Sequence, residues 1–214
     1  MLLKTRTFVL LSSMSKGDRT RDAILRDALD TASVYGLEGL SIGALAKRTG
    51  MSKSGLFAHF GSKADLQLAT LKAGVQRFIQ IVIQPALKAP RGVARITGLF
   101  DNWLAWASGL GPPGGCVLLA ASMEWDDKEG PVREYLVGTQ QEWLGFVAEA
   151  AHLTVTTGEF HSDLDCMQFA HDLNAIFMDF HLSTRLLRDP EAPTRAQRAF
   201  TRLIDDARRR TPSA

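Results

Sequence analysis

The sequence predicts an all-α chain, a three-helix helix-turn-helix head joined to a larger helical body, and three observations carry that prediction. Apolar residues recur at three- and four-residue spacing along most of the chain, the mark of amphipathic helices. Residues 41–60 read as two short helices joined by a tight glycine turn and framed by longer ones, the pattern of a helix-turn-helix unit. The 214 residues, 45% hydrophobic and 22% charged, are enough to bury a proper core.

The elements follow in order. The opening MLLKTRTFVLLSSMSKGDR sets Lys4 and Arg6 before the apolar run Phe8 to Leu11. That run is shorter than the roughly 7 to 15 apolar residues at the centre of a signal peptide, so residues 1–17 are expected to be a flexible leader, with Met14 as an alternative start. From Arg19, the spacing of Ile24, Leu25, Ala28, Leu29 and Ala32 predicts a helix, ended by Gly36 and Gly39. Ser41 caps a short helix holding Ile42, Leu45 and Ala46, with Lys47 and Arg48 in its last turn and Gly50 as its stop. Ser52 caps the next, which runs to Phe60 before Gly61, with Leu56 and Phe60 on one face. Ser62 and Asp65 have the spacing of a capping box and open a longer helix through Leu66, Ala69, Leu71, Val75, Phe78 and Ile79, which Pro85 is expected to close.

Beyond Pro85 the chain reads as further helices. Leu99, Trp103, Trp106 and Leu110 fall on one helical face, and GLGPPGGC interrupts the chain over residues 109–115. The apolar run Cys116 to Met123 reads as a tightly packed helix, since Ala120 and Ala121 suit close packing. DDKEGP marks a turn; residues 132–153 form a helix that packs through Leu136, Trp143, Phe146 and Val147. Residues 163–187 form another, and RDPEAPT separates it from a basic helix over residues 195–210. The expected domains are the leader, 1–17, the helix-turn-helix head, 18–63, and a helical effector-binding and dimerisation body, 64–210.

The second short helix of the pair is marginal in water by itself. Leu45, Leu56 and Phe60 are expected to hold it in place, which leaves Lys53, Ser54, Phe57 and His59 to be presented outward. Ser52 and Lys53 at its amino end, and Lys63 in the first turn of the next helix, suit phosphate groups. Ser54 and His59 offer hydrogen bonds, and Gly55 leaves room for close backbone approach. Charge agrees: the net is only +2, but residues 1–74 hold 11 Lys/Arg and 6 Asp/Glu against 14 and 17 over residues 75–214. A basic head on a mildly acidic body suggests a surface that faces a polyanion, and with the helix-turn-helix this makes double-stranded DNA the expected partner.

One short helix covers too few bases to specify a site, so the body is expected to pair two copies and set their reading helices about 34–36 Å apart. Met167, Ala170, Leu173, Asn174, Phe177, Met178 and His181, with Phe200, Leu203 and Ile204 of the last helix, form the expected homodimer surface. Burial inside one chain is the alternative. Trp103, Trp106, Met123, Trp125, Trp143, Phe146 and Phe169 either line a pocket for a small, largely apolar effector or fill the core.

Ile24, Leu25, Ala28, the stretch YGLEGLSIGALAKRTGMSKSGLFAHFGSKADL and the helical body together resemble the tetracycline-repressor-like (TetR/AcrR) family of bacterial transcription regulators. The likeness is specific over about residues 20–70 and looser beyond. It implies an all-helical homodimer whose head binds a palindromic operator, usually as a repressor, and whose larger domain binds a small effector that releases it. By the same resemblance Ser41 and Lys53 meet the DNA backbone, Phe57 takes the place of the usual reading-helix tyrosine, His59 and Phe60 match the family's HF ending, and Lys63 matches its phosphate-binding lysine. Leu40, Gly55, Phe57 and Ala58 depart from the family's common residues, so an operator sequence is not inherited. GGCVLLAASMEWDDKEGPVREYL is similar to a carboxyl-terminal subtype with a Gly-Gly-Cys segment.

Other chemistries find less support. His59, His152, His161, His171 and His181 contain no HExxH pair, and no glycine-rich nucleotide motif or serine elbow occurs, so no catalysis and no cofactor are expected; a metal at His171, Asp172 or His181 is the residual case. Two cysteines, Cys116 and Cys166, exclude a dense disulfide framework, fit the cytoplasm and leave a redox-sensing pair open. No stretch is long and apolar enough to span a membrane. An activator, a redox-responsive regulator using Cys116 and Cys166, a helical interaction protein and a metal-dependent enzyme are the alternatives to a ligand-released repressor.

Overall fold

Ten α-helices make up most of residues 16–208, the part of the chain that the computed structural model describes. They are α1 (Lys16–Tyr35), α2 (Ile42–Thr49), α3 (Lys53–Phe60), α4 (Lys63–Phe78), α5 (Gln84–Leu87), α6 (Val93–Ala105), α7 (Val117–Glu124), α8 (Pro131–Thr156), α9 (Cys166–Arg185) and α10 (Ala192–Arg208). The all-α class, with a helix-turn-helix ahead of a larger set of helices, is the one the sequence predicts. Of the expected leader, residues 1–15, Met14 among them, lie outside the described residues, as does the chain from residue 209. Lys16 and Gly17 already belong to α1.

The chain divides into two units. The first takes the residues up to Arg77 together with Pro112–Thr139. Its core is aliphatic: Ile24, Ala28, Leu29, Leu37, Leu40, Leu45, Leu56, Leu66 and Leu71 are all buried. Local chemistry sets its short helices. Ser41 Oγ accepts from the Ala44 N–H at 3.1 Å and Ser52 Oγ from the Gly55 N–H at 3.0 Å, each satisfying a donor that a helix start leaves open. Gly50 and Gly61 stop the two helices at φ of 68° and 72°, a region that costs other residues strain. At the start of α4 the Ser62 hydroxyl accepts from the Asp65 N–H at 3.1 Å and donates to its carboxylate at 2.6 Å. The Gly-Gly-Cys segment seats directly on α1. The Gly114 N–H donates to Ser33 Oγ at 2.9 Å, and a Cβ at Gly114 would collide with the Ser33 carbonyl.

The second unit takes Phe78–Gly111 and the residues from Gln140 onward, and its core is aromatic. Phe100 stacks on Phe200 with ring centroids 4.0 Å apart, Trp103 stacks on Phe177 at 4.2 Å, and Phe78 meets Trp106 and Trp143 edge to face. Pro85 does not close the helix that precedes it. The chain passes from α4 through a π-helical turn, Ile79–Ile83, into α5, which contains Pro85; the wider turn relieves the clash and the missing donor that a proline brings to a regular helix. A second π turn, Trp106–Leu110, extends α6 and holds Gly109 at φ 146°. It swings Leu110 away from the face shared by Leu99, Trp103 and Trp106, leaving it 60% exposed. Asp165 caps α9 by accepting from the Met167 and Gln168 N–H groups, so that helix starts after, not at, Asp163. Helix α10 starts earlier than expected, with Pro193 tolerated in its first turn.

This packing divides the predicted pairing surface. Ala170, Leu173, Phe177, Phe200 and Ile204 are buried within their own chain, because α9 and α10 turn these residues toward the aromatic core. Their side chains are therefore core and not surface. Met167 and Met178 are exposed, while Asn174, His181 and Leu203 are half-buried.

Candidate nucleic-acid interface

Helix α3 keeps Leu56 and Phe60 buried and leaves Lys53, Ser54, Phe57 and Ala58 exposed. Arg21 of α1 lies over the Phe60 ring, 5.0 Å from its centroid, pinning the carboxyl end of the short helix. Lys53 and Ser54 are exposed, and Phe57 is 51% exposed. Ser52 and Ser54 share a hydroxyl hydrogen bond of 3.1 Å at the helix start. Gly55 and His59 are half-buried, and Ser41 is exposed at the start of α2. The Lys53 stem runs beside Gly43, where a Cβ would come within 3.2 Å of Lys53 Cε. The predicted residues of α3 thus lie on one short, firmly held helix with its polar side open.

Lys63 has a partner that sequence reasoning missed. Its Nζ donates to Glu38 Oε2 at 2.8 Å and to the Glu38 carbonyl at 3.0 Å, and Lys128 Nζ stands 3.7 Å from the other carboxylate oxygen. The Lys63 hydrogen bond is the main reason the Glu38 carboxyl sits below the usual carboxylate range. The turn that carries Glu38 is tied down from two helices. Glu124 of α7 accepts from the Leu37 and Glu38 N–H groups, each at 2.7 Å, and the buried Gln67 amide of α4 donates to the Leu37 carbonyl at 2.9 Å. Gly36, at φ 77°, lies against the Glu124 carboxylate, with no room for a Cβ. No local motif announces these contacts; Glu38 and Lys63 lie 25 positions apart, Glu38 and Glu124 86.

The predicted ligand residues fall into two groups. Met123, 58% exposed, and Trp125, over whose ring Lys128 lies, belong to the first unit. Trp103, Trp106, Trp143, Phe146 and Phe169 belong to the second. There Trp143 contacts Phe78, Phe146 and Phe177 and donates from Nε1 to Asn174 at 3.2 Å. The Trp106 Nε1 donor is buried without a partner, a state that costs free energy until an acceptor reaches it.

Cys116 and Cys166 are not joined in a disulfide; Cys116 is buried and Cys166 is partly buried. Burial first, then the Asp165 and Glu149 carboxylates, push the Cys166 thiol above its usual range, which lowers its thiolate fraction and argues against a reactive sensor. Among the described residues no group of three His, Cys, Asp or Glu side chains is placed to hold a metal ion, and no helix is long and apolar enough to cross a membrane.

Residues 24–70 match the family of bacterial regulatory proteins, tetR family, and residues 92–200 match the tetracyclin repressor-like C-terminal domain. The HTH-type transcriptional repressor AcnR of Corynebacterium glutamicum is 30% identical over 97 residues, 44% of this chain and 51% of AcnR. The chain thus aligns with about half the length of that relative. A TetR transcriptional regulator from Chloroflexus aurantiacus J-10-FL superposes with a TM-score of 0.79 at 25% identity, over 90% of this chain and 96% of that one. AibR, solved in complex with isovaleryl coenzyme A and operator DNA, superposes with a TM-score of 0.65 at 18% identity, over 84% of this chain and 97% of its own.

Proposed function

The chain belongs to the tetR family of bacterial regulatory proteins, DNA-binding regulators of transcription that are not enzymes, and from that membership we propose a homodimeric repressor that leaves a palindromic operator when a small, largely apolar ligand binds. The observation that carries the DNA role is α3, with Lys53, Ser54 and Phe57 exposed above a buried Leu56 and Phe60. Residues 18–63 are assigned to the operator and residues 64–210 to pairing and the effector. Phosphate contacts go to Ser41, Ser52, Lys53 and Lys63, and base-edge contacts to Ser54 and His59, with Gly55 and Phe57 against the groove.

The pairing role passes to the open side of α9, where Met167, Met178 and Leu182 are 47%, 37% and 48% exposed. An apolar stripe of this kind is costly in water and suits a second copy. The effector is assigned to the aromatic cluster around Trp103, Trp106 and Trp143, where the unpartnered Trp106 N–H would meet an acceptor on an otherwise apolar ligand. A ligand that binds a conformation with altered head spacing releases DNA by linkage. AcnR, named as a transcriptional repressor, supports the repressor reading, and AibR, solved with isovaleryl coenzyme A and operator DNA, supports a fold that takes both a ligand and an operator.

The test is selection of bound fragments from source DNA, followed by footprinting of the best fragment at controlled salt. A protected palindrome with half-sites one helical turn apart, or a multiple of it, supports the proposal. Diffuse, salt-labile binding alone removes it.

A further inference from the structure

The Lys63, Glu38 and Lys128 side chains form a charge clasp at the edge of the head. Both Glu38 carboxylate oxygens face an ammonium group, one at 2.8 Å from Lys63 and one at 3.7 Å from Lys128. The shorter distance is the one a lysine makes to an anionic oxygen of any kind; two of the three Lys63 N–H groups go to Glu38, so a DNA phosphate meets a neutralised ammonium with one donor left and gains the others only by displacing Glu38. The backbone that carries the carboxylate is fixed, because Glu124 accepts from the Glu38 N–H at 2.7 Å and Gln67 donates to the preceding carbonyl. The Lys128 stem is in turn placed by the Trp125 ring, 4.8 Å from its ammonium group.

We propose that Glu38 is a specificity-determining residue: it withholds Lys63 and Lys128 from sequence-independent phosphate binding and yields them only when the head is seated well enough for a phosphate to compete. The inference rests on the operator-binding reading above. The energetics suit such a gate. The Lys63, Glu38 and Lys128 side chains are 45%, 49% and 40% exposed, and exposed pairs are weak enough to exchange. Non-specific DNA binding is almost wholly electrostatic, so occupying two lysines lowers the background while contacts to base edges stay as they are. The Glu38 charge itself also repels a poorly placed backbone.

The experiment measures binding of the full chain to a random-sequence duplex and to the selected operator over a range of salt, for wild type, Glu38→Gln, Glu38→Ala and a Glu38→Ala variant that also carries Lys63→Ala and Lys128→Ala. Both single variants are expected to bind the random duplex about 1.5- to 5-fold more tightly per head. Their log affinity should fall more steeply with log salt, by about 0.9 for each lysine released, and the preference for operator over random duplex should shrink. The variant lacking both lysines should show none of this gain. Unchanged slope, or weaker binding to random duplex, in folded Glu38→Gln and Glu38→Ala overturns the proposal while leaving operator binding intact; failure of the wild type to bind any duplex overturns both.

Discussion

Trp103 and Phe177 lie face to face inside one chain, with ring centroids 4.2 Å apart and planes 17° from parallel. Phe177 is 1% exposed, so it stabilises the monomer and offers a partner no surface. Phe177→Ala is expected to lower unfolding stability by about 3–5 kcal/mol, read from urea denaturation. Phe177→Glu would bury an unpaired charge and report misfolding rather than dissociation. Met178→Glu and Leu182→Glu are the informative variants. They should keep the helical signal and sediment as monomers; a dimer that persists in both would take α9 out of the interface.

Lys53→Ala should weaken binding to every duplex and lower its salt dependence by about one phosphate contact per head. Ser54→Ala should instead alter preference at one operator position, since a short hydroxyl reads a base edge without neutralising charge. Competition among operator variants separates the two. A uniform loss for Ser54→Ala would assign that hydroxyl to the backbone.

Glu124→Ala would leave the Leu37 and Glu38 N–H groups without their carboxylate acceptor. Leu37 is fully buried, so water replaces that partner poorly, and the expected cost is about 1–3 kcal/mol. Thermal unfolding measures it. Operator affinity should fall with it, because the same turn leads into the Ser41 cap of α2.

His181 adds a pH dependence. Burial first, then Arg185, holds its imidazole below the usual range, and its Nδ1 is buried without a partner. The folded chain therefore binds this proton less readily than the unfolded chain. Its contribution to stability is full above the unfolded value of about 6.5 and declines as pH falls through the lower folded value. Chemical denaturation at pH 7.5 and pH 5 should show the loss in wild type and a smaller loss in His181→Gln. An equal loss in both would assign the dependence to other groups.

Ser41, Ser52, Gly50 and Gly61 act within four residues of the backbone groups they satisfy, so the short helices and their ends were legible from residue spacing alone. So were the buried Leu56 and Phe60 and the exposed Lys53, Ser54 and Phe57, because one helical period decides which side of α3 each occupies. Periodicity also marked the apolar side of α9. It did not say which neighbour would cover that side, and the aromatic rings of α6 took Phe177 into the core, where Leu173 is also buried, while Met178 and Leu182 stayed open.

By itself the sequence determined the all-α class, the helix-turn-helix and the basic character of the head, since each depends on contacts within a turn or two or on summed charge. Only the tertiary structure decided that Glu124 grips the turn at Leu37 and Glu38, that Glu38 occupies Lys63 and Lys128, and that Gly114 seats on Ser33. Those relationships join residues far apart in sequence, and no local pattern encodes them because each partner is supplied by packing of the chain as a whole.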